Sequence, residues 1–188
     1  MIVISGIQTE CEHKTSRIEK LILLVAKGET DKIGELYDLI KTDVYAFALS
    51  KLANPSDAED IMQNTFVQVF KYANYYKAQG KPMSWIFTIE INLIRRFCQL
   101  KKRTVVYEEY MDKPSESASV EDKVINSNFI KQMLKLLEED ERDIIVMHVI
   151  SGLKHKEISK VLKKPLSTVL SRYNRAIKKL QRFAGGVN

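Results

Sequence analysis

Apolar residues recur at three- and four-residue steps along most of this chain, a spacing that places them on one face of an α-helix. The stripe over 15–26 predicts a short amphipathic helix that Gly28 ends, after a flexible lead over residues 1–14. Asp31 is placed to cap a second, core-facing helix that reaches Leu52. Strand-like alternation is scarce and only seven Gly and four Pro interrupt the chain, so the pattern predicts an all-α fold.

A third helix is predicted after the break at Asn54-Pro55-Ser56. Acidic residues gather in its first turn, where the helix dipole favours negative charge. Its predicted buried face consists of Ala58, Ile61, Met62, Phe66, Val69 and Phe70. Its predicted outer face consists of Glu59, Asp60, Gln63, Asn64 and Gln68. Taken alone, this pattern indicates a well-capped helix with a polar exterior.

The segment from Leu153 to Arg182 predicts two helices joined by a tight break, with Pro165 suited to the first turn of the second. From Lys163 to Arg182 there are seven Lys or Arg and no acid. One face of the second helix is apolar, and the opposite face carries Thr168, Ser171, Arg172, Arg175, Lys179 and Arg182. The pattern is typical of a helix-turn-helix unit that reads duplex DNA, and a surface helix with a solvated charged face is the alternative.

A second basic surface is predicted between Tyr72 and Arg103. It begins with an aromatic and basic loop, and the helix that follows carries five basic residues and no acid from Arg95 onward. Aromatic rings beside cations suit unpaired bases, which need a stacking surface and phosphate neutralisation. The alternative is that Trp85 and Phe87 belong to the core and the tyrosines cover it, and for Phe87 the core is favoured.

Residues 104–126 differ from the rest, because acids, serines and Pro114 replace apolar residues. This composition predicts a flexible acidic linker between two small helical domains, over 15–103 and 127–184, with 185–188 as a tail. Beyond the linker, one helix is expected over 124–137 and another over 140–150, which Gly152 ends. His148 and His155 are expected to be structural or surface residues.

Composition narrows the class of protein. Hydrophobic residues make up 45% of the chain and charged residues 29%, as in folded domains. The net charge of +6 is clustered, which favours a polyanionic partner. Cys11 and Cys98 lie far apart with no matching Cys or His pair, so no disulfide framework, metal site or cofactor is expected. No run is long enough for a membrane span, and the expected location is the cytoplasm.

Two separated stretches carry a further signal. The first contains the run Asp57–Phe66, then Ser84-Trp85-Ile86-Phe87, Asn92 and the basic tail 95–103; the second contains Glu157-Ile158, Thr168–Arg172 and Arg175-Ala176. In this order, across an acidic segment, they resemble the second and fourth conserved regions of bacterial RNA polymerase sigma factors of the extracytoplasmic-function (ECF) group. The resemblance covers roughly residues 15 to 182, nearly the whole chain.

The resemblance implies a factor that binds core RNA polymerase, directs promoter-specific initiation and helps open the DNA, while the polymerase remains the catalyst and this chain is not an enzyme. Docking on the β′ clamp helices would use Asp57, Glu59, Asp60, Gln63 and Asn64. Capture and opening of the −10 element would use Tyr75, Tyr76, Lys77, Lys81, Ser84, Trp85, Thr88, Asn92, Arg95 and Arg96. Reading of the −35 element would use Ser167, Thr168, Ser171, Arg172, Arg175 and Lys179. Further implied partners are the polymerase β flap and an anti-sigma protein.

The chain departs from the family pattern at several positions. Glu90 and Ile91 stand where a small or basic residue is common, and Arg96 where an acid is common. Lys163 replaces a common turn glycine, Leu170 a common lysine, and Glu138 a proline before the first helix of the C-terminal reader domain. The promoter sequence therefore does not follow from the resemblance.

Two other function classes account for the sequence less completely. A free-standing helix-turn-helix regulator would account for the C-terminal half but would leave the block from Asp57 to Arg103 unexplained. A small nuclease or recombinase would need carboxylates at metal-binding spacing, or a Ser or Tyr nucleophile in a basic pocket, and the sequence offers neither pattern.

Overall fold

The computed structural model of the chain describes residues 2–105 and 135–185, and within them the side chains of 13–101 and 135–184. These ranges contain seven α-helices and no strand, which confirms the predicted all-α class. None of these described helices combines the length and apolar character needed to cross a membrane. In chain order they are α1 (Ile2–Ala26), α2 (Lys32–Leu52), α3 (Pro55–Tyr72), α4 (Pro82–Val105), α5 (Glu139–Ile145), α6 (His155–Leu162) and α7 (Leu166–Gly185). A 3₁₀ turn (Ala73–Tyr75) follows α3, and a π-helical turn (Val146–Ile150) continues α5.

Helix α1 begins at Ile2 and covers most of residues 1–14, which the sequence predicted to be a flexible lead. The prediction placed the start of the helix too late. Residues 2–26 contain one glycine and no proline, and extending a packed helix adds a hydrogen bond for each residue fixed. The predicted end is confirmed, since Gly28 adopts a φ of +98° just beyond Ala26.

The starts of α2 and α3 differ in how they are capped. The side chain of Asn54 accepts a hydrogen bond of 3.1 Å from the backbone N–H of Asp57, and Pro55 occupies the first turn of α3. Asp31, which the sequence placed as the cap of α2, has helical dihedrals and makes no side-chain cap bond. Its carboxylate instead lies 3.4 Å from the Nζ of Lys32.

Part of the predicted organisation falls outside the described residues. The predicted linker, 104–126, lies outside them from residue 106 onward, while Thr104 and Val105 end α4. The helix expected over 124–137 lies outside them up to residue 134, and of the predicted tail only Gly185 is described.

The first four helices pack around one apolar core. The fully buried rings of Phe47 and Phe87 meet edge to face with centroids 5.2 Å apart, so the core placement of Phe87 is confirmed. Phe70 was predicted to be buried but is 45% exposed. It lies beyond the edge of the buried stripe of α3, which is centred near Thr65 and Val69.

The N-terminal and C-terminal halves share that core, because α5 and its π-helical turn pack on α2 while α6 packs on α4. Lys51 of α2 places its Nζ 2.7 Å from carboxylate oxygens of both Glu139 and Asp143. Arg142 donates to the backbone oxygen of Ser50 at 3.0 Å. Burial raises the pKa of Asp143 to about 6, against the attraction of Lys51. Polar contacts therefore fix how the halves meet.

Candidate nucleic-acid interface

The break between α6 and α7 is built by a lysine in an uncommon conformation. Lys163 ends α6 with φ of +54°, the left-handed region in which helices commonly end on glycine. The hydroxyl of Ser159 donates to the backbone oxygen of Lys164 at 2.7 Å, and Pro165 then precedes α7. The departure at Lys163 is thus accommodated without loss of the helix-turn-helix geometry.

Helix α7 presents a well-defined outer face. Val169 and Ala176 are fully buried, and the opposite side of the helix is centred on Ser171, Asn174 and Lys178. The exposed residues of α7 are Leu166, Ser167, Leu170, Ser171, Asn174, Arg175, Lys178, Gln181, Arg182 and Ala184. Asn174 and Lys178 were absent from the predicted contact set, although a helical projection drawn opposite Val169 and Ala176 would have included them.

Two of the predicted reader cations are instead bound to acids at the start of α5. Arg172 places Nη1 2.7 Å from Glu138 and Nη2 3.7 Å from Asp140. Lys179 places Nζ 2.6 Å from the fully buried Glu141. Both cations lie on the flank of α7 that faces α5, and so does the half-buried Thr168. In this structure the flank links the two helices rather than facing outward.

Glu141 is the centre of this link. Burial by itself would raise its pKa, but hydrogen bonds from Lys179 and from the backbone N–H of Glu138 outweigh burial and lower it. Arg175 lies at the edge of the cluster, with Nε 4.0 Å from Glu141 and a side chain that is 55% exposed. Of the three predicted reader cations, Arg175 is therefore the one best placed to reach a ligand.

Helix α7 packs against two histidines through Tyr173. The rings of His148 and His155 lie 4.3 Å apart, and Tyr173 of α7 packs edge-on against both. Nδ1 of His148 is hydrogen-bonded to the backbone oxygen of Leu153 at 2.7 Å. Burial, with a contribution from His148, lowers the pKa of His155. Both histidines were expected to be structural or surface residues, and their contacts with Tyr173 and Leu153 are structural.

The loop between α3 and α4 separates its aromatic residues into an inner and an outer group. Tyr76 is only 9% exposed, and its ring packs at a tilt against Trp85 with centroids 5.0 Å apart. Its hydroxyl donates to Glu19 at 2.6 Å. Because its ring is covered, Tyr76 is not a stacking surface for DNA in this structure, contrary to the prediction. Tyr75 is 76% exposed, beside Tyr72 at 6.2 Å. The predicted basic contacts Lys77 and Lys81 are exposed.

Helix α4 gathers its predicted contacts on one stripe. Thr88, Asn92, Arg95 and Arg96 are exposed, and the half-buried Ser84 and Trp85 begin the same stripe. The hydroxyl of Thr88 donates to the backbone oxygen of Ser84 at 2.7 Å, which holds the first turn. The stripe offers an aromatic ring, hydroxyl and amide groups, and two guanidinium groups in succession, the chemistry that an opened DNA strand requires.

On the opposite side of α4, Glu90 is fully buried and its carboxyl oxygens have no hydrogen-bond partner among the described residues. Burial raises the pKa of Glu90 well above its usual range. Helical spacing places Glu90 amid the apolar positions of α4, whereas its residue type alone suggests exposure.

The outer face of α3 forms a third surface, which combines polar and apolar groups. Asp60, Gln63 and Asn64 are exposed there, beside Val67 at 58% and Phe70 at 45% exposure. An exposed apolar group rimmed by polar residues is typical of a protein-binding surface. The sequence pattern assigned Phe70 to the core and Val67 to neither face.

Two of the predicted docking residues are less exposed than Asp60, Gln63 and Asn64. Asp57 is bound within the chain, with its carboxylate 2.7 Å from the Nζ of Lys101 in α4 and its backbone N–H on Asn54. Glu59 is half-buried at the side of α3. Among the described side chains, no group of three or more His, Cys, Asp or Glu is placed to hold a metal ion.

Comparisons with known proteins match both halves of the chain. Residues 36–104 match the family described as sigma-70 region 2, and residues 130–180 match the one described as sigma-70, region 4. The ECF RNA polymerase sigma factor SigW of Bacillus subtilis is 27% identical over 178 residues, which span 88% of this chain and 95% of that protein. The ECF RNA polymerase sigma factor BldN of Streptomyces coelicolor is 25% identical over 178 residues, spanning 92% and 67%.

Two solved structures share the fold. The sigma factor RpoE in complex with the anti-sigma factor NepR, from Bartonella quintana, matches with a TM-score of 0.65 and 20% identity over 82% of this chain and 98% of that chain. CnrH in complex with the cytosolic domain of CnrY matches with a TM-score of 0.63 and 20% identity over 92% and 99%.

Proposed function

Because the chain belongs to the sigma factors of bacterial RNA polymerase, in the ECF group, and directs promoter-specific transcription initiation, we propose that it holds the polymerase with α3 and the promoter with α4 and α7. The observation that carries this proposal is the presence of a separate exposed strip on each of these helices, within the two matched regions. The groups exposed on each strip suit a different binding partner.

The α3 surface is proposed to dock on the clamp helices of the polymerase β′ subunit. Its exposed polar groups, Asp60, Gln63 and Asn64, surround Val67 and Phe70. Association would bury the two apolar side chains, and the polar rim would supply orientation. Asp57 contributes indirectly, since its contact with Lys101 ties α3 to α4.

The α4 stripe is proposed to hold the opened −10 element. Trp85 and the exposed Tyr75 offer ring surfaces to unpaired bases, while Arg95 and Arg96 follow the phosphates. Asn92 lies between these groups on the same stripe and can hydrogen-bond a base edge.

The outer face of α7 is proposed to enter the major groove of the −35 element. Ser171 and Asn174 can hydrogen-bond base edges, and an asparagine amide suits adenine. Arg175 and Lys178 can contact bases or phosphates on either side. Arg172 and Lys179 remain with the acids of α5 and set the orientation of α7.

Further partners follow from the family. The C-terminal half is proposed to meet the polymerase β flap, and an anti-sigma protein is proposed as the regulator, as in the RpoE–NepR complex. The polymerase supplies the catalysis, and the chain acts where polymerase and template meet, in the bacterial cytoplasm.

The test is in vitro transcription with bacterial core polymerase and a promoter library, with and without the chain. We expect transcripts only when both proteins are present, from templates that share two spaced elements. Asp60→Ala combined with Val67→Ala should abolish transcription and weaken core binding, while Asp38→Ala on exposed α2 surface serves as a control. Sequence-specific binding of the chain to duplex DNA without polymerase, and no stimulation of transcription, would instead establish a free-standing regulator.

A further inference from the structure

The loop that joins the 3₁₀ turn to α4 is held by one carboxylate from a distant part of the chain. Oε1 of Glu19, in α1, accepts hydrogen bonds from the hydroxyl of Tyr76 at 2.6 Å and from the backbone N–H groups of Gln79 at 3.1 Å and Gly80 at 2.9 Å. These hydrogen bonds lower the pKa of Glu19, that from Tyr76 most strongly, so the carboxylate is charged at pH 7.

This arrangement fixes an exposed stretch of backbone. Gln79 and Gly80 are exposed, and Gly80 has a φ of +67°. Two successive N–H groups aimed at one oxygen hold the turn that leads into Pro82 and α4. Since both residues are exposed, water could replace Glu19, so loss of the carboxylate should loosen the loop without unfolding the helices.

The same carboxylate also acts on Trp85 through an intermediate ring. Glu19 holds the hydroxyl of Tyr76, and the ring of Tyr76 lies against Trp85 with centroids 5.0 Å apart. Tyr76 is buried, whereas Trp85 is half-buried at the start of the α4 stripe. Glu19 therefore reaches both the loop backbone and the aromatic group through which the stripe would contact a base.

We propose that Glu19 is a positioning residue for capture of the opened strand: it fixes the loop over 76–81 and, through Tyr76, the orientation of Trp85. Glu19 itself does not touch DNA. The proposal rests on the proposed function, in which the α4 stripe holds the unpaired −10 strand. What it adds is that strand capture depends on α1, a helix outside the matched region 36–104.

The chain offers a direct spectroscopic readout, because Trp85 is its single tryptophan. Glu19→Ala removes all three contacts, Glu19→Gln keeps an acceptor oxygen, and Glu29→Ala on exposed surface is the matched control. We expect Glu19→Ala to shift the Trp85 emission to longer wavelength and to increase its quenching by acrylamide. Glu19→Gln should lie close to the wild type, and Glu29→Ala should be unchanged.

The functional arm uses holoenzyme assembled from core polymerase and each variant. The probes are the single-stranded −10 non-template oligonucleotide of a promoter selected from the library, a random-sequence oligonucleotide and the −35 duplex. Glu19→Ala should lose about tenfold in affinity for the −10 strand and keep its affinity for core polymerase and the −35 duplex. Glu19→Gln should recover most of the loss.

Three results are decisive. Unchanged −10 strand affinity in Glu19→Ala would overturn the proposal, and so would an equal loss for strand, duplex and core polymerase, which indicates general destabilisation. A wild-type holoenzyme that does not prefer the −10 strand over the random oligonucleotide would overturn the proposed function of α4 instead. In that case the Trp85 emission series still decides whether Glu19 positions the ring.

Discussion

The two basic helices, α4 and α7, differ in what their cations contact. Among the described residues, Arg95 and Arg96 of α4 make no ion pair and are exposed. In α7, by contrast, Arg172 and Lys179 are bound to the acids that begin α5. Arg95 and Arg96 are therefore available to phosphates, whereas Arg172 and Lys179 link α7 to the start of α5. Positive charge on a helix does not by itself identify a DNA contact.

The two helices also differ in the apolar clusters on which they pack. α4 buries Phe87 and its neighbours in the large core that α1, α2 and α3 complete. α7 contributes Val169 to that core, and its later turns rest on a small cluster around Leu137 and Ala176. We therefore expect α4 to depend chiefly on apolar packing and α7 partly on ion pairs.

The largest expected effect follows from the packing of α4. Phe87→Ala should lower the free energy of unfolding by about 3–5 kcal/mol, because a fully buried ring is replaced by a cavity. Urea denaturation measures the change. The neighbouring exposed Thr88→Ala should change stability by no more than about 0.5 kcal/mol. A loss below about 1 kcal/mol in Phe87→Ala would contradict the core placement.

For α7, Glu141→Gln should lower the free energy of unfolding by about 1–3 kcal/mol, because the buried site then no longer neutralises Lys179. The folded-state pKa of Glu141 is lowered, so its contribution is present above the unfolded value near 4.5 and is lost as pH falls below it. The pH dependence of unfolding in this range should flatten in the variant. An unchanged profile would show that the ion pairs do not support α7.

Asp143, at the contact between the halves, should have the opposite pH dependence. Burial raises its pKa from 3.8 to about 6, so between these values the folded chain holds a proton that the unfolded chain has released. Its contribution to the free energy of unfolding should therefore fall as pH rises from about 4 to about 6. Asp143→Asn should remove this slope, as measured by urea denaturation at several pH values. If the contribution of Asp143 to the free energy of unfolding instead rose over the same pH range, that result would contradict the burial of its carboxyl group.

Within α7, the outer face and the flank should respond differently to substitution. Asn174→Ala should weaken binding of the −35 duplex by about 1–3 kcal/mol and relax sequence preference if the amide reads a base. Arg172→Ala should chiefly lower stability, since its guanidinium is bound to Glu138. Fluorescence anisotropy on matched and mismatched duplexes separates the two. If Arg172→Ala lost sequence preference and Asn174→Ala kept it, the result would show that Arg172 contacts the bases and Asn174 does not.

The smallest expected effect concerns the turn before α7. Lys163→Gly should raise the free energy of unfolding by about 0.5–1 kcal/mol, because glycine adopts the left-handed conformation of this position without a Cβ penalty. Lys160→Gly, inside α6, should lower it by a similar amount. Thermal denaturation of the pair checks both signs. Destabilisation in both variants would show that Lys163 makes a contact that outweighs its backbone strain.

The contrast between α4 and α7 also shows what could be predicted from sequence. Helical spacing was sufficient to predict the α4 stripe from Ser84 to Arg96, since those positions share one face. It was not sufficient for Arg172, because its partner Glu138 lies 34 residues earlier in the chain. Tyr76 was assigned to DNA for the same reason, since its partner Glu19 is 57 residues away. Local periodicity identifies faces, whereas long-range polar contacts decide which of their residues face solvent.

Residue type alone would mislead at two further positions. Val67 is apolar and exposed, and Glu90 is acidic and fully buried. In both cases position on the helix agreed with the structure better than residue type did. The start of α1 was missed because the prediction followed the apolar stripe over 15–26, whereas the helix begins at Ile2.

The central claim is that α4 and α7 hold different promoter elements for one polymerase. The most direct test of this claim combines hydroxyl-radical footprinting with permanganate reactivity on a selected promoter. Holoenzyme with Asn92→Ala in α4 should keep the upstream footprint and lose the permanganate-reactive thymines of the −10 element. Holoenzyme with Asn174→Ala in α7 should lose the upstream footprint and, on a template opened in advance, retain the downstream one. Equal loss of both signals in both variants would contradict the account.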